Sequence, residues 1–343
     1  MTRVLILGGT GVVGRAIAEH FARIGWRVDV TGRDAANMPA ELADLGVSFV
    51  RADSRNVSDL VGACGAGTDL LVDCVCFSAE DARRLLPLAR SATSTVMISS
   101  KAVYVDNDGN HSNSERPPRF YEPISESQPT LPPREDIPYD SREGYGVNKV
   151  AAERVLLDSG QPVSVLRPSK IHGRAARPAR EWMWVKRALD GRKRVFLAHR
   201  GEGGDHTTAA TNIAALVETC ARLPAARVLN SADPDAPNGV DIARTIAKRF
   251  DLDWEEVLLD GPPIGNVGRH AWDRYPPVVL DTSAAHALGY SPVGNYAATV
   301  GEEIDWLVKA ATSPASSVNP AEKDAFFAGL FDYAAEDRLV LQG

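Results

Sequence analysis

Short apolar runs alternate with stretches of helical periodicity over the first hundred residues. The segments RVLILG, GRAIAEHFARIG and WRVDVTG predict, in that order, a strand, a helix and a strand. Further apolar runs follow in VSFVRAD, DLLVDCVCF and STVMISS, and helix-like segments separate them. Nearly continuous apolar strands that alternate with helices predict a doubly wound parallel sheet with helices on both faces.

The pattern breaks down between Val105 and Gly144. Seven prolines lie between Pro117 and Pro138, and polar clusters such as DNDGNHSNSE precede them, so this segment is predicted to be a long extended loop. Helical spacing resumes at Tyr145, and the apolar run VSVLRPS then indicates another buried strand. Later amphipathic segments, AALVETCARL and DIARTIAKRF, indicate further helices in a smaller α/β region.

Composition limits the class of protein. With 343 residues, of which 44% are hydrophobic and 24% charged, the chain has the usual balance of a globular protein of one or two domains. No apolar run approaches the roughly 20 residues of a membrane helix, and the first run stops at glycine, so we expect a cytoplasmic protein that does not associate with a membrane. The net charge of −7 disfavours nucleic acid as the main partner.

Cysteine and histidine spacing indicates no metal centre. The four cysteines show no CxxC spacing, and we expect them to be inert core thiols. The seven histidines include no HxxxH or HxH pair. The sequence therefore predicts no metal site.

A glycine-rich turn, GGTGVVG, follows the first strand and opens the first helix. A dinucleotide-binding fold needs glycine at these places for a tight turn, for close approach of the backbone to a pyrophosphate and for packing of helix on strand. The motif in this context predicts a Rossmann-type domain that binds NAD or NADP. The residues expected around the pyrophosphate are Gly8, Thr10, Gly11, Val12, Val13 and Gly14.

The end of the second strand bears on the choice between NAD and NADP. Gly32 replaces the acid that would bind the ribose 2′-hydroxyl of NAD, and Arg33 follows it. Asp29 lies inside the strand, and Asp34 comes after the arginine, so neither acid is well placed. We therefore expect NADP, with its 2′-phosphate paired to Arg33, in preference to NAD.

Tyr145 and Lys149 lie four residues apart in a predicted helix. That spacing places both side chains on one helical face, close enough for an ammonium group to act on a phenol. An unaided phenol titrates near pH 10, so a neighbouring cation is needed to make it an acid or base near neutral pH. The pair is therefore a candidate for proton transfer.

These motifs together resemble the extended short-chain dehydrogenase/reductase superfamily, the NAD(P)-dependent epimerase/dehydratase group. The positions that match the family's motifs are Gly8, Gly11 and Gly14 (GxxGxxG), Ser100 and Tyr104 in SSKAVY, Tyr145 and Lys149 (YxxxK), and Arg167 with Pro168 in LRPSKIHG. The later segment LDTSAAHALGYSP resembles the end of the family's substrate domain. The resemblance spans about residues 3 to 310.

The resemblance implies hydride transfer between the nicotinamide ring and a hydroxyl or ketone carbon of a sugar, a nucleotide sugar or a natural-product intermediate. Tyr145 would be the general acid or base, Lys149 would hold the nicotinamide ribose and assist the tyrosine, and Ser100 would hydrogen-bond the reacting oxygen. Further cofactor contacts are expected from Asp53, Phe77 and Pro168.

Two departures from the family pattern bear on the reaction. A 4,6-dehydratase would need an Asp-Glu pair after the catalytic serine or threonine, but Lys101 and Ala102 stand there, so dehydration is disfavoured. Phe77 and Ser78 stand where many relatives have a His-Ala pair. A nucleotide-sugar 4-epimerase that retains NAD remains the alternative to a reductase or dehydrogenase.

The resemblance also implies a division of the chain. Residues 1–170 would form the NAD(P)-binding Rossmann domain, which the chain rejoins at about 205–230. Residues 171–204 and 231–312 would form a smaller α/β substrate-binding domain in the C-terminal half. Residues 313–343 would form a helical tail that docks on the protein or forms a homodimer.

A basic stretch from Arg174 to Arg194 contains eight Lys or Arg residues against two acids. In the family this stretch contributes to the substrate pocket, where arginines could meet a diphosphate and tryptophans could stack on a base. The other interpretation is a helix whose Trp182, Val185 and Leu189 face the core while its arginines lie in water. The residues that we consider for substrate binding are Lys101, Arg180, Trp182, Trp184 and His206.

The basic stretch also leaves a different class of function open. RNA binding is one alternative, because a local excess of cations attracts phosphates even in an acidic chain. A cofactor-sensing protein on the same fold is another, but such a sensor would not need Ser100, Tyr145 and Lys149 together. A small-molecule substrate is therefore the expected partner.

Overall fold

The fold is described from a computed structural model that covers residues 2–313 and 324–340. Its strands are β1 (Arg3–Leu7), β2 (Arg27–Gly32), β3 (Ser48–Arg51), β4 (Thr68–Asp73), β5 (Ala92–Ile98), β6 (Val163–Pro168), β7 (Lys170–His172), β8 (Arg194–Leu197), β9 (Thr207–Ala209), β10 (Arg227–Ser231) and β11 (Glu255–Leu258). Its α-helices are α1 (Val12–Arg23), α2 (Ala40–Asp44), α3 (Val57–Cys64), α4 (Ala79–Ala89), α5 (Gly144–Leu157), α6 (Trp182–Leu189), α7 (Ala210–Arg222), α8 (Gly239–Arg249), α9 (Ser283–Ala287), α10 (Tyr296–Thr299), α11 (Gly301–Thr312) and α12 (Tyr333–Val340).

Seven parallel strands form the central sheet in the order β10-β6-β5-β4-β1-β2-β3. Strand β1 lies in the middle, where Val4 is opposite both Val28 of β2 and Leu70 of β4. The order reverses between β1 and β4, so the carboxyl ends of these strands open a crevice in which such sheets bind ligands. The predicted doubly wound parallel sheet is therefore confirmed.

Helices cover both faces of the sheet, because its strands are apolar on both sides. On one face α1 and α7 pack through residues such as Ile17, Phe21 and Ile213. On the other face α4 and α5 pack through residues such as Leu85 and Leu156. Both layers hold the strand ends rigidly in register, and this fixes the geometry of the crevice.

A second hydrophobic core lies outside the sheet, among α6, α8, α11 and the segment around Phe327. The chain enters this region after β6, returns to the sheet with α7 and β10, and then leaves it again. Trp182 and Val185 face this core as the amphipathic interpretation predicts, but Leu189 at the end of α6 is 40% exposed. The exact division into two domains stays a prediction.

The segment between Val105 and Glu143 contains neither a helix nor a long strand, as its prolines predict. It packs on the protein through Ile124 and Leu131, which are buried with the start of α5 and with Leu280. The loop is thus anchored at its middle. This anchoring determines which side of the site its last residues can reach.

The described part of the C-terminal tail docks on α6 and the residues that follow it. Arg187 pairs with Glu336 at 2.7 Å, and Arg192 pairs with Asp337 at 2.6 Å. Residues 314–323 and 341–343 of the predicted tail lie outside the described ranges. Within those ranges, none of the helices has the length and apolar character needed to cross a membrane.

Candidate functional site

In the turn after β1, Gly11 has open space beside it, whereas Gly9 and Gly14 have no room even for a Cβ atom. A Cβ atom on Gly14 would lie 2.4 Å from the carbonyl oxygen of Gly8, and one on Gly9 would lie 2.4 Å from the Val30 Cβ. A Cβ on Gly11 would meet nothing nearer than 3.7 Å. Gly8 has a φ of 76°, which favours glycine. The turn therefore brings α1 close to β1 and leaves the ligand side of Gly11 open.

Helix α1 begins at Val12 directly behind this turn, and no side chain caps its first N–H groups. Uncapped N–H groups at a helix start, together with the helix dipole, attract an anion. No acid lies in the first turn to compete with such an anion. The turn and helix thus fit the pyrophosphate of a dinucleotide.

A cleft of about 1040 Å³ lies at the carboxyl ends of β1, β2 and β4, next to the glycine turn. Five of the residues predicted to bind the cofactor line it, namely Gly8, Thr10, Arg33, Asp53 and Phe77. The side chain of Val13 lies instead in the core, and Pro168 lies at the end of β6, outside the lining of the cleft. Any contact from Val13 to a pyrophosphate would come from its backbone N–H.

At the end of the cleft next to β2, arginine side chains are exposed, whereas the carboxylate of Asp29 is buried. Asp29 is buried within β2, where its carboxylate accepts a hydrogen bond from Arg3 Nε at 2.7 Å. Asp34 accepts from the backbone N–H of Ala36 at 3.0 Å. Arg33 is exposed at the cleft, and Arg55 lies beside it. Asp29 is therefore unable to reach a ribose, as its place inside the strand indicates.

Asp53 remains as a carboxylate at this end. It accepts a hydrogen bond from the backbone N–H of Arg55 at 3.0 Å. That bond is the main reason why the pKa of Asp53 is lowered. Asp53 thus shares this end of the cleft with Arg33 and Arg55.

Tyr145 and Lys149 lie on the same face of α5, as their spacing predicts. The Lys149 ammonium is 6.0 Å from the centre of the Tyr145 ring and 4.5 Å from the centre of the Phe77 ring. It donates hydrogen bonds to the carbonyl oxygens of Cys76, at 2.7 Å, and Ile98, at 3.0 Å. Lys149 is thus fixed at the carboxyl ends of β4 and β5, with only 2% of its surface exposed.

A glycine between the tyrosine and the lysine brings α5 close to the segment after Ser100. A Cβ on Gly146 would lie 2.5 Å from Leu131 Cδ1 and 2.9 Å from the carbonyl oxygen of Ala102. Ser100 lies two residues after the end of β5, and its hydroxyl oxygen accepts a hydrogen bond from the backbone N–H of Ala102 at 3.1 Å. The contact at Gly146 therefore joins the helix that carries Tyr145 to the turn that begins at Ser100.

A smaller cavity of about 180 Å³ borders the second core, whose residues Ala271 and Leu330 help to line it. Its lining consists of Lys170, Asp205, Arg269, His270, Ala271, Asp273, Arg274, Phe326 and Leu330. Lys101, the neighbour of Ser100, forms an ion pair with Asp205, and Lys170 Nζ lies 3.3 Å from the same carboxylate. The side chain of Lys101 thus leads from the predicted catalytic serine to this cavity.

Cations outnumber acids around the cavity. Burial lowers the pKa of both Lys101 and Lys170, and the neighbouring Arg180 and Arg274 lower it further. Asp205 is shared by both lysines, so it cannot neutralise the whole group. An anion that enters the cavity would relieve this repulsion, so the geometry suits a negatively charged ligand.

Comparison with known proteins agrees with this geometry. The model of the NAD dependent epimerase/dehydratase family matches residues 4–204. The chain belongs to this family. No curated protein matches the chain.

Solved structures share the fold of this epimerase/dehydratase family member at low sequence identity. UDP-glucuronic acid 4-epimerase from Bacillus cereus, in complex with UDP-glucuronic acid and NAD, is 17% identical with a TM-score of 0.64 over 89% of this chain and 98% of that one. UDP-glucose 4-epimerase from Thermus thermophilus, in complex with NAD, is 18% identical with a TM-score of 0.64 over 89% and 98%. dTDP-glucose 4,6-dehydratase from Bacillus anthracis, in complex with NAD, is 15% identical with a TM-score of 0.66 over 90% and 97%.

Membership of the epimerase/dehydratase family confirms the resemblance on which the sequence-based interpretation rests. The chain is an enzyme of the NAD(P)-dependent extended short-chain dehydrogenase/reductase type. The roles of individual residues remain predictions.

Two of the five substrate candidates lie where no ligand reaches them. Trp182 and Trp184 are 2% and 1% exposed and pack in the second core. Their rings therefore offer no face on which a base could stack in this structure. The helical spacing of apolar positions in α6 is typical of a helix that faces a core, whereas the pocket was implied only by the resemblance to the family.

His206 is also engaged within the protein. Its Nδ1 accepts from the backbone N–H of Leu280 at 3.0 Å, so its Nε2 carries the proton and faces the carbonyl oxygens of Asp233 and Asp235. Burial lowers its pKa and favours this neutral form. The ring holds three segments together, and both its nitrogens are used.

Lys101 and Arg180 lie outside the lining of the cationic cavity but act on it, since Lys101 pairs with Asp205 and the charge of Arg180 acts on Lys170. Arg180 donates a long hydrogen bond, of 3.4 Å, to the carbonyl oxygen of Ile171. The sequence-based interpretation missed Lys170 and Arg274 at the cavity and Arg55 at the cleft. Lys170 follows the matched RP pair, so its place after β6 could have indicated it.

Arg167 of the family's RP pair has a structural contact. It forms a bidentate ion pair with Glu153 of α5, with Nε at 3.0 Å from Oε1 and Nη2 at 2.5 Å from Oε2. Both side chains are buried. The pair ties α5, which carries Tyr145, to the end of β6 and so helps to position the tyrosine.

Proposed function

We propose that the chain is an NADP-dependent oxidoreductase that transfers hydride at a hydroxyl or ketone carbon of an anionic small molecule. One observation carries this proposal. Tyr145 and Lys149 lie on one face of α5, and Lys149 is held at the carboxyl ends of β4 and β5, 4.5 Å from the centre of the Phe77 ring, which lines the cofactor-sized cleft. Ser100 follows β5, and its neighbour Lys101 pairs with Asp205, which lines the cationic cavity. The cofactor would occupy the cleft, and the substrate would hold its charged group in the cavity.

The proposed roles follow from the atoms that each side chain offers. Tyr145 gives its phenolic proton to the substrate oxygen in reduction and takes it back in oxidation. The Ser100 hydroxyl donates a hydrogen bond to the same oxygen and orients it. The bound nicotinamide supplies the hydride chemistry.

Lys149 has one N–H group to spare for a ligand. An ammonium group has three donors, and the carbonyl oxygens of Cys76 and Ile98 use two of them. The third can hold a ribose hydroxyl, while the positive charge favours loss of the proton from Tyr145. The two carbonyl contacts therefore position Lys149 and leave one of its N–H groups for a ligand.

The preference for NADP rests on the charges at the far end of the cleft. Arg33 and Arg55 are available there, whereas Asp29 is paired with Arg3 inside the protein. A 2′-phosphate pairs well with arginine, and a free 2′-hydroxyl needs a carboxylate. The structural neighbours named above contain NAD, so NAD is the alternative that the experiment must separate.

An anionic substrate is supported by the cationic cavity next to Ser100. Lys170, Arg269 and Arg274 line it and outnumber Asp205 and Asp273, and Lys101 and Arg180 add positive charge nearby. A sugar phosphate, a sugar acid or a nucleotide sugar would satisfy this charge. Nucleotide-sugar 4-epimerisation with retained NAD is the second candidate, since the cavity would also suit a diphosphate.

Cofactor retention separates the two candidates. The purified protein is denatured and its released nucleotides are identified by mass spectrometry, and NADPH and NADH affinities are then measured by fluorescence titration. An exchangeable site with tighter binding of NADPH supports the reductase. Stoichiometric retained NAD, with UDP-sugars interconverted at C4 and no net change in absorbance at 340 nm, would replace it with the epimerase.

We also propose that the protein acts in the cytosol. Its four cysteines are free thiols, as is usual in a reducing compartment. A fractionation of the producing cells that places the enzyme outside the cytosol would contradict this proposal.

A further inference from the structure

Three ionisable side chains meet in the interior at some distance in sequence from the proton-transfer set. His172 ends β7, Glu181 directly precedes α6, and Glu303 lies in the first turn of α11. They are 2%, 1% and 0% exposed. Each offers one ligand atom, and these atoms lie within 4.8 Å of one another, which no other group of three achieves in residues 2–313 and 324–340.

Asp233 orients the ring of His172. The His172 Nε2 atom lies 2.9 Å from Asp233 Oδ2. The Thr207 hydroxyl and the backbone N–H of Ala209 donate to the same carboxylate, so Asp233 is itself held in place. The contact with Asp233 leaves Nδ1 of His172 for a ligand.

The lone pair of Nδ1 has no hydrogen-bond partner among the described residues. A carboxylate that holds one nitrogen of a histidine while the other nitrogen faces a buried site is the arrangement that orients metal-binding histidines. His172 is thus an unpartnered buried donor atom, already oriented by Asp233.

The two glutamates also have oxygen atoms to spare. Glu303 Oε2 accepts from the backbone N–H of Gly173 at 2.6 Å, but Glu303 Oε1 has no partner in the described part of the chain. Glu181 Oε1 has a long contact of 3.4 Å with the Tyr296 hydroxyl. Glu303 Oε1 is thus a buried oxygen atom that a ligand could use, and Arg180 is a charged side chain that interacts with both carboxyls.

We propose that His172, Glu181 and Glu303 bind one divalent transition-metal ion of the zinc type. An imidazole nitrogen and two carboxylate oxygens are a common protein ligand set for zinc, with bonds of about 2.0 to 2.2 Å. Such bonds need the three ligand atoms to be about 3 to 4 Å apart, so movements of roughly an ångström close the site. A water molecule would complete the coordination.

The position of the site indicates a structural role. It joins the end of β7 to the starts of α6 and α11, where the sheet side of the molecule meets the second core. His172 also lines a surface cleft of about 280 Å³, which gives an ion a route to the site. Zinc would fix the second core on the sheet, and the hydride chemistry would not pass through it.

The proposal is tested first on the full-length wild-type protein. The metal-free protein, prepared with EDTA, is titrated with zinc chloride, and zinc retained after dialysis is counted by plasma mass spectrometry. We expect one zinc per chain and a rise in Tm of several degrees that EDTA reverses. A wild-type protein that retains no zinc and shows no shift in Tm would overturn the proposal.

Glu303→Gln separates metal binding from a proton shared by the two carboxyls. The glutamine amide can donate to Glu181 as a protonated Glu303 would, so a shared-proton site would survive this change. We expect the variant to fold and to lose both the retained zinc and the zinc-dependent shift in Tm. Glu302→Gln removes the same charge one residue away, outside the cluster, and should bind zinc as the wild type does. Zinc binding by Glu303→Gln at the wild-type level would overturn the proposal.

Discussion

The cofactor cleft and the cationic cavity are built in different ways. Most of the cleft comes from the ends of β1 to β4, the last of which ends at Asp73. The cavity takes Lys170, Asp205, Arg274 and Leu330 from segments far apart in the chain. Parallel topology orders the strand ends by itself, whereas nothing in local sequence brings together the walls of the cavity. The cleft is therefore much easier to predict than the cavity.

The largest expected effect lies at the boundary between the two regions. Tyr145→Phe removes the proposed proton donor but keeps the ring, so turnover should fall by about 10² to 10⁴. Cofactor affinity should stay within about twofold, because the phenol is not needed to hold the dinucleotide. Steady-state assays and fluorescence titration of NADPH measure the two quantities.

Tyr121→Phe is the matched control for Tyr145→Phe. Tyr121 is 79% exposed on the long loop, so loss of its hydroxyl should change neither quantity. Turnover that survives in Tyr145→Phe would show that Tyr145 is not the proton donor, whatever its position between cleft and cavity.

The second effect tests the charge at the far end of the cleft. Arg33→Ala should weaken NADPH binding by about 10-fold to 100-fold, since a charge-assisted hydrogen bond contributes about 1.5 to 3 kcal/mol. NADH affinity should stay the same, because NADH has no 2′-phosphate. Arg90→Ala, an exposed change at the end of α4, is the control. Equal losses for NADPH and NADH would contradict the assignment of Arg33 to the 2′-phosphate.

The sequence could predict the features that follow from periodic spacing or from local motifs. The parallel sheet follows from apolar runs such as β1, and the face shared by Tyr145 and Lys149 follows from helical spacing alone. That Asp29 would not reach a ribose could be inferred from its position inside β2 rather than at the end of that strand. Those predictions needed no knowledge of distant contacts.

The remainder depends on packing between distant segments. Trp182 and Trp184 were candidates for stacking because nothing local tells a pocket wall from a core-facing helix. His206 is held by backbone groups of Asp233 and Leu280, which no spacing rule connects to it. The cluster of His172 with two glutamates is likewise formed only by the tertiary fold.

The third effect is a loss of folding stability at acidic pH, and it comes from His270 in the lining of the cavity. Burial lowers the pKa of His270 to about 3 from 6.5, so the folded protein binds fewer protons than the unfolded chain between these values. Stability is therefore lost as the pH falls below about 6.5, by about 1.4 kcal/mol at pH 5.5 relative to pH 7.5. Urea unfolding at the two pH values measures this loss.

Replacement of the histidine shows whether that loss comes from the cavity. His270→Gln should remove about 1.4 kcal/mol of the difference between pH 7.5 and pH 5.5, whereas His286→Gln, at an exposed position, should leave it unchanged. No histidine lines the cofactor cleft in the described ranges. An unchanged acid loss in His270→Gln would mean that the cavity is not its source.

The smallest effect decides to which region the long loop belongs. The last residues of this loop, from Glu135 to Tyr139, line the cofactor cleft. Tyr139 stacks on Phe77 with ring centres 5.5 Å apart, and Glu135 pairs with Arg83 at 2.7 Å. The anchoring of the loop at Ile124 and Leu131 leaves its last residues on the cleft side.

Tyr139→Ala should therefore weaken cofactor binding by about threefold to tenfold, since a stacked aromatic pair contributes about 0.5 to 1.5 kcal/mol. The KM for the substrate should change little, because no residue of the loop lines the cavity in the described part of the chain. Tyr139→Phe keeps the stacked ring and should retain full affinity. A Tyr139→Ala variant with a changed substrate KM and an unchanged cofactor affinity would indicate that the loop contacts the substrate instead. Only a loop that contacts the substrate could change the KM without changing cofactor affinity.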